Sequence, residues 1–136
     1  LDYSQISLLI DAGLVVLIWM VQLIVYPSFK YYEPKNLLIW HQKYTDRLAV
    51  IVIPLMLSQL VFAIFNAFNL ATFTSIFTLS IVLFLWIFTF LGFVPLHSKI
   101  SDGNANQRIL NLLIQRNWIR TFLWTALLLF HVFATL

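Results

Sequence analysis

The chain has no cysteine, only three glycines and little charge: five acidic and eight basic residues among 136. Without cysteine there is no disulfide, no thiolate metal site, no iron–sulfur cluster and no thiol redox relay. There is no glycine-rich phosphate loop, no Gly-x-Ser-x-Gly elbow, no paired-carboxylate site and no Gly-x-x-x-Gly helix motif. Charged residues make up 10% of the chain, against about a quarter in soluble domains. The remainder is 62% hydrophobic, with a mean hydropathy of +0.93. A soluble domain of this size has too little interior to hide that much apolar surface.

What is present is four long apolar stretches, about 7–26, 48–68, 72–94 and 118–136. Each is long enough to cross a ~30 Å hydrocarbon layer at ~1.5 Å per residue. The expected fold is all-α: a single integral membrane domain over 1–136, an up-down four-helix bundle. The start, Leu1-Asp2-Tyr3-Ser4-Gln5, lacks a basic segment, so no cleavable signal peptide is expected.

The basic residues mark one end. Lys30, Lys35, Lys43 and Arg47 fall between the first two stretches, and Lys99, Arg108, Arg116 and Arg120 in or beside the third gap. The middle gap, near Asn69–Ala71, carries no charge. The positive-inside rule then places both basic gaps in the cytoplasm and both termini outside, in a bacterial inner membrane. The formal charge of +3 therefore serves orientation and lipid headgroups, not nucleic acid.

Glu33-Pro34 reads as a helix start, which carries the second helix from about residue 34 through its apolar stretch. Ser101-Asp102-Gly103-Asn104 reads as a turn and N-cap, which starts the fourth helix near 104. Helices two and four are thus expected to extend into the cytoplasm, each for roughly thirty residues or ~45 Å. Pro27 and Pro95 are expected to mark the ends of helices one and three, and Pro54 to kink helix two.

Polar residues recur at helical spacing. Asn117, Arg120, Thr121 and Trp124 share one face of helix four; Trp86, Thr89, Phe93 and His97 one face of helix three; Trp19, Gln22 and Tyr26 one face of helix one. Helix two adds Tyr44 and Arg47, with Ser58 and Gln59 deeper. Polar groups in hydrocarbon cost several kcal/mol if unpaired, so such stripes should face inward. Together they point to a pocket near the cytoplasmic face that binds or transforms a small lipophilic molecule, such as a quinone, phenol, isoprenoid or lipid. In it, His97 and Tyr44 are the acid–base residues. Gln22, Tyr26, Arg47, Trp86, Thr89, Asn117, Arg120 and Trp124 are the ligand-binding residues.

Other readings stand beside this one. Arg47 and Arg120 suit topology anchoring by snorkelling to phosphates, and Gln22 and Asn117 suit interhelical glue. His41, Tyr44 and His97 form a metal alternative, but no carboxylate accompanies them, so no metal is expected; no cofactor is named. Asp11 and His131 lie near the opposite end, where they suit a proton-responsive or structural pair. The alternative functions are a non-catalytic accessory subunit, with a homo-oligomer or partner membrane protein beside the lipids, and an oligomeric transporter or channel.

Several segments occur together: Val21-Gln22 with Tyr26-Pro27, Arg47 before Pro54-Leu55-Met56, Val94-Pro95-Leu96-His97, and Asn117-Trp118-Ile119-Arg120-Thr121 with Trp124. Their spacing resembles a group of small, uncharacterised bacterial four-helix membrane proteins over most of the chain. That pattern carries His at the position of Tyr44 and an acid at that of Gln59. A looser similarity runs to the anthrone-oxygenase-like membrane proteins. It implies an activity on polycyclic phenolic substrates.

Overall fold

The computed structural model describes all 136 residues and contains helices and no strands. Four rods follow one another: α1 (Tyr3–Tyr31), α2 (Pro34–Leu70), α3 (Phe73–Ser101) and α4 (Gln107–Thr135). The three shorter rods have 29 residues and α2 has 37, or ~43 and ~55 Å. All four are long and apolar enough to cross a membrane. Short connections make sequence neighbours antiparallel, and α1 also packs along α4 to close the bundle. Its exterior is apolar: Val50, Phe73 and Leu91 are 74%, 81% and 74% exposed. That surface matches hydrocarbon rather than water.

Local chemistry sets the rod ends. Asp2 caps α1 and Thr72 caps α3, each in a reciprocal box with the residue three positions on, Gln5 and Ser75. Pro34 opens α2. The chain leaves α2 through Ala71, whose φ of 49° is left-handed. α3 ends in a Schellman turn. The Asn104 N–H bonds the Lys99 carbonyl, the Gly103 N–H bonds the Ile100 carbonyl, and Gly103 takes φ +79°. The capping residue of α4 is therefore Asn106, whose side chain accepts from Ile109, and not a residue of the Ser101–Asn104 turn.

Two prolines do not end their rods. α1 continues past Pro27 through a π-turn at Val21–Val25, then Tyr26–Ser28 and a 3-10 turn at Phe29–Tyr31. Pro27 has no N–H to give, and its ring crowds the carbonyl four residues back. A wider turn accommodates the ring, and the Tyr26 N–H reaches the Val21 carbonyl. Val21, Gln22 and Tyr26 are all buried as a result. α3 breaks at Phe93 (φ −119°) and restarts at Val94, which puts Pro95 in a first turn, where its missing N–H costs little. Arg116 bonds the Gly92 carbonyl at this break, at 2.9 Å. α2 stays one helix through Pro54, which lies on its exposed face. All four rods, not only α2 and α4, thus run on at the basic end.

Candidate functional site

Arg120 is the centre of the basic end. It projects from α4 and is 7% exposed. Its guanidinium donates from Nε and Nη2 to Asn117 Oδ1, at 3.0 and 2.7 Å. Nη2 also donates to the Tyr26 hydroxyl at 3.1 Å, and Nη1 to Thr89 Oγ1 at 3.4 Å. The Phe93 ring lies 3.6 Å beneath it, in cation–π contact. Every one of these partners is neutral. The sole ion pair in the protein joins Asp11 to His131 at the other end. A guanidinium has five N–H donors, so one Nη1–H remains unpaired.

Asn117 is fixed from behind. Its Nδ2 donates to Gln22 Oε1 at 2.9 Å, and Thr121 Oγ1 reaches the same oxygen at 3.3 Å. Gln22 in turn donates to the Ile114 carbonyl at 3.2 Å. Gln22, Asn117 and Thr121 are buried to 2% or less exposure. This bracket explains why amides occur in apolar helices: they aim the arginine.

A second chain of contacts leads from Tyr26 toward the end of the bundle. The Tyr26 hydroxyl lies 3.1 Å from His97 Nε2, and His97 Nδ1 lies 2.8 Å from His41 Nε2. His41 Nδ1 lies 3.2 Å from Ser101 Oγ. The two imidazoles stack with centroids 5.0 Å apart, and Phe29 packs its edge on His41.

Arg120, Tyr26, Tyr44, Thr89, His97 and Trp124 line one cleft of about 530 Å³. Leu14, Ile18 and Met56 make its deeper wall apolar. From α4 only the buried Arg120 and Trp124 reach it, whereas α3 offers exposed Val94 and Ser98 and α2 exposed Ile53. The cleft therefore opens sideways between α2 and α3. Tyr44 is 7% exposed, and its hydroxyl has no partner. Buried hydroxyls nearly always find one, so this group is available to a ligand.

The expected site residues divide as follows. Tyr26, Tyr44, Thr89, His97, Arg120 and Trp124 meet in the cleft. Gln22 and Asn117 do not line it; they hold Arg120 from behind. Arg47 is exposed and outside the cleft, which corrects its assignment to the pocket. The inward face of α2 runs through His41, Tyr44, Met56 and Gln59, and Arg47 falls off that register. Trp86 is also outside the lining; it packs between the two hydrophobic clusters, with its Nε1 buried and unpaired. For the metal alternative, His41 and His97 do approach, but through nitrogens that face each other, and no group of three His, Cys, Asp or Glu lies together.

The opposite end has its own network. Asp11, 2% exposed, contacts His131 Nδ1 through Oδ2 and accepts from Gln59 through Oδ1 at 2.7 Å. His131 Nε2 lies 3.0 Å from Thr78 Oγ1, and Gln59 Oε1 accepts from Trp124 Nε1 at 3.0 Å. The sequence reading contained the Asp11–His131 pair. It missed Thr78, Ser101 and the use of His41 as a link, because hydroxyls in helices often bond their own backbone and carry little signal. No family model, curated protein or solved structure matches the chain.

Proposed function

We propose that this integral membrane protein holds a small lipophilic molecule in the cleft by an oxygen atom placed against Arg120. One observation carries the reading: a buried cation, hydrogen-bonded only to neutral partners and with an unpaired N–H, faces a largely apolar cleft of about 530 Å³ whose one carboxylate, Asp102, is exposed. Burying such a charge without a counter-charge is costly, and an anionic or carbonyl oxygen would offset that cost. The unpartnered Tyr44 hydroxyl supplies a second hydrogen bond, and Trp124, Met56 and Ile18 receive the apolar body. The volume is in the range of small-molecule sites. The lateral opening suits a ligand dissolved in the bilayer. All the Lys and Arg residues gather at this end, so the positive-inside rule turns the cleft toward the cytoplasm and residues 1 and 136 outward. A bacterial inner membrane agrees with the resemblance of the motifs.

A second reading rests on the Gln22–Asn117–Thr121 bracket, which is buried and lies outside the cleft lining: the network would only lock the bundle of an accessory subunit. Native mass spectrometry from mild detergent separates the two. The wild-type protein should carry a bound lipophile that Arg120→Gln loses, with helical content unchanged and Arg47→Gln still loaded. Identical spectra for wild type and Arg120→Gln, or a protein partner in place of a small molecule, would favour the accessory role.

A further inference from the structure

The contacts from Arg120 to Ser101 have a direction. An arginine only donates, so Arg120 Nη2 donates to the Tyr26 oxygen. The Tyr26 proton is then free to be given to His97 Nε2. With Nε2 accepting, a neutral His97 carries its proton on Nδ1 and gives it to His41 Nε2. By the same logic His41 carries its proton on Nδ1, toward Ser101 Oγ. With Tyr26 giving its proton to His97, both imidazoles take the Nδ1–H tautomer, and the links run from Arg120 to Ser101, which lines the cleft at the end of α3. Each imidazole receives on one nitrogen and gives from the other. A proton relay needs this alternation.

We propose that Tyr26, His97, His41 and Ser101 form a proton relay, and that the ligand oxygen at Arg120 is a weakly acidic hydroxyl of the hydroquinone type. This rests on the reading of the cleft given above. A carboxylate or phosphate arrives already ionised and needs no relay, and a plain carbonyl has no proton to give. A weak oxygen acid needs both a cation and a proton exit, and the cleft has both. In the step, the ligand O–H bond breaks and its proton passes to the Tyr26 oxygen. The Tyr26 proton moves to His97 Nε2, the His97 Nδ1 proton to His41 Nε2, and the His41 Nδ1 proton to Ser101 Oγ. The Ser101 proton leaves to water. The ligand oxyanion stays on the guanidinium, and no electron is transferred. The reverse sequence protonates the ligand.

The surroundings are consistent with this role. His41 is 0% exposed, so its only way out is Ser101, which is half-buried at the end of α3. Of the charged and titratable groups around the pair, Arg120 on α4 and Tyr26 on α1 stand at the cleft end, and Tyr44 on α2 stands beside His41. Lys99 on α3 and Asp102, which follows the end of α3 and lines the cleft, are exposed.

The test uses 4-nitrophenol as probe, because its oxyanion is coloured. The protein in mild detergent is loaded with the probe in acid and mixed rapidly with alkaline buffer. The colour of the bound probe should rise at least about tenfold more slowly in His41→Gln and His97→Gln than in wild type, with the affinity of His41→Gln, whose site lies outside the cleft lining, unchanged. Glutamine keeps a donor and an acceptor but cannot pass a proton through itself. Added imidazole should restore the rate in His41→Ala, which a packing defect would not allow. Equal rates in wild type and both glutamine variants, with binding intact, would overturn the relay and leave the cleft reading standing. Failure of the wild type to bind, or binding untouched by Arg120→Gln, would overturn the cleft reading and the relay with it.

Discussion

Replacing Asn117 with aspartate changes one atom type and supplies Arg120 with the counter-charge it lacks. Two contacts, at 3.0 and 2.7 Å, already join the Arg120 Nε and Nη2 to Asn117 Oδ1. Each is already donated by a cation and now meets an anionic acceptor, a gain of about 1 kcal/mol apiece over a bond to a neutral acceptor. Against this, the bond from Asn117 Nδ2 to Gln22 Oε1 is lost, and two acceptors now face each other. Gln22 relieves the clash by turning its amide, at the cost of its bond to the Ile114 carbonyl, roughly 1–3 kcal/mol. Stability should therefore change by no more than about 2 kcal/mol. Ligand binding should respond more. A new carboxylate on the Nε/Nη2 edge lies ~6–7 Å from a ligand oxyanion on the opposite Nη1 edge and repels it by on the order of 2–3 kcal/mol at an effective dielectric of ~20. Thermal unfolding followed by tryptophan fluorescence measures the first effect, and titration with 4-nitrophenol above its ionisation range the second. Asn117→Ala is the contrast: it strips two bonds from a buried cation and should cost about 3–5 kcal/mol. The reasoning fails if aspartate destabilises as much as alanine, or if aspartate leaves the affinity of the ionised probe unchanged.

Other outcomes follow from the same structure. His131→Phe leaves the buried Asp11 with Gln59 alone and should lower stability by about 3–5 kcal/mol, read as an earlier thermal transition in detergent. Tyr44→Phe removes a hydroxyl that bonds nothing in the protein, so it should leave the melting point in place while weakening probe binding. Gly13→Ala meets Leu55 at an ordinary 3.5 Å and should stabilise α1 by about 0.5–1 kcal/mol; Gly103→Ala, at φ +79°, should destabilise by about 1 kcal/mol.

The four rods were legible because length and hydropathy alone specify a membrane helix. The inward faces of α1, α3 and α4 were also legible. An amide or arginine at helical spacing in an apolar run has few stable places to point, and Gln22, Asn117 and Arg120 point there together. Arg47 misled for the complementary reason. Near a helix end a charge can reach headgroups, so proximity to Tyr44 in sequence did not fix its face. The π-turn at Val21–Val25 was not readable either: Pro27 announces a disturbance, but whether a rod ends or widens depends on what its far side packs against. The chain of contacts from Tyr26 to Ser101 required three dimensions, since Tyr26, His41 and His97 belong to three different helices.

The central claim is that Arg120 holds a ligand oxygen in the cleft. Its most direct measurement compares equilibrium binding of ionised 4-nitrophenol with that of 4-nitroanisole, its methyl ether, which has the same ring and no oxyanion. The wild-type protein should prefer the oxyanion by about tenfold or more, the value of one charged hydrogen bond, and Arg120→Gln should erase that preference. The same preference in both proteins would contradict the account.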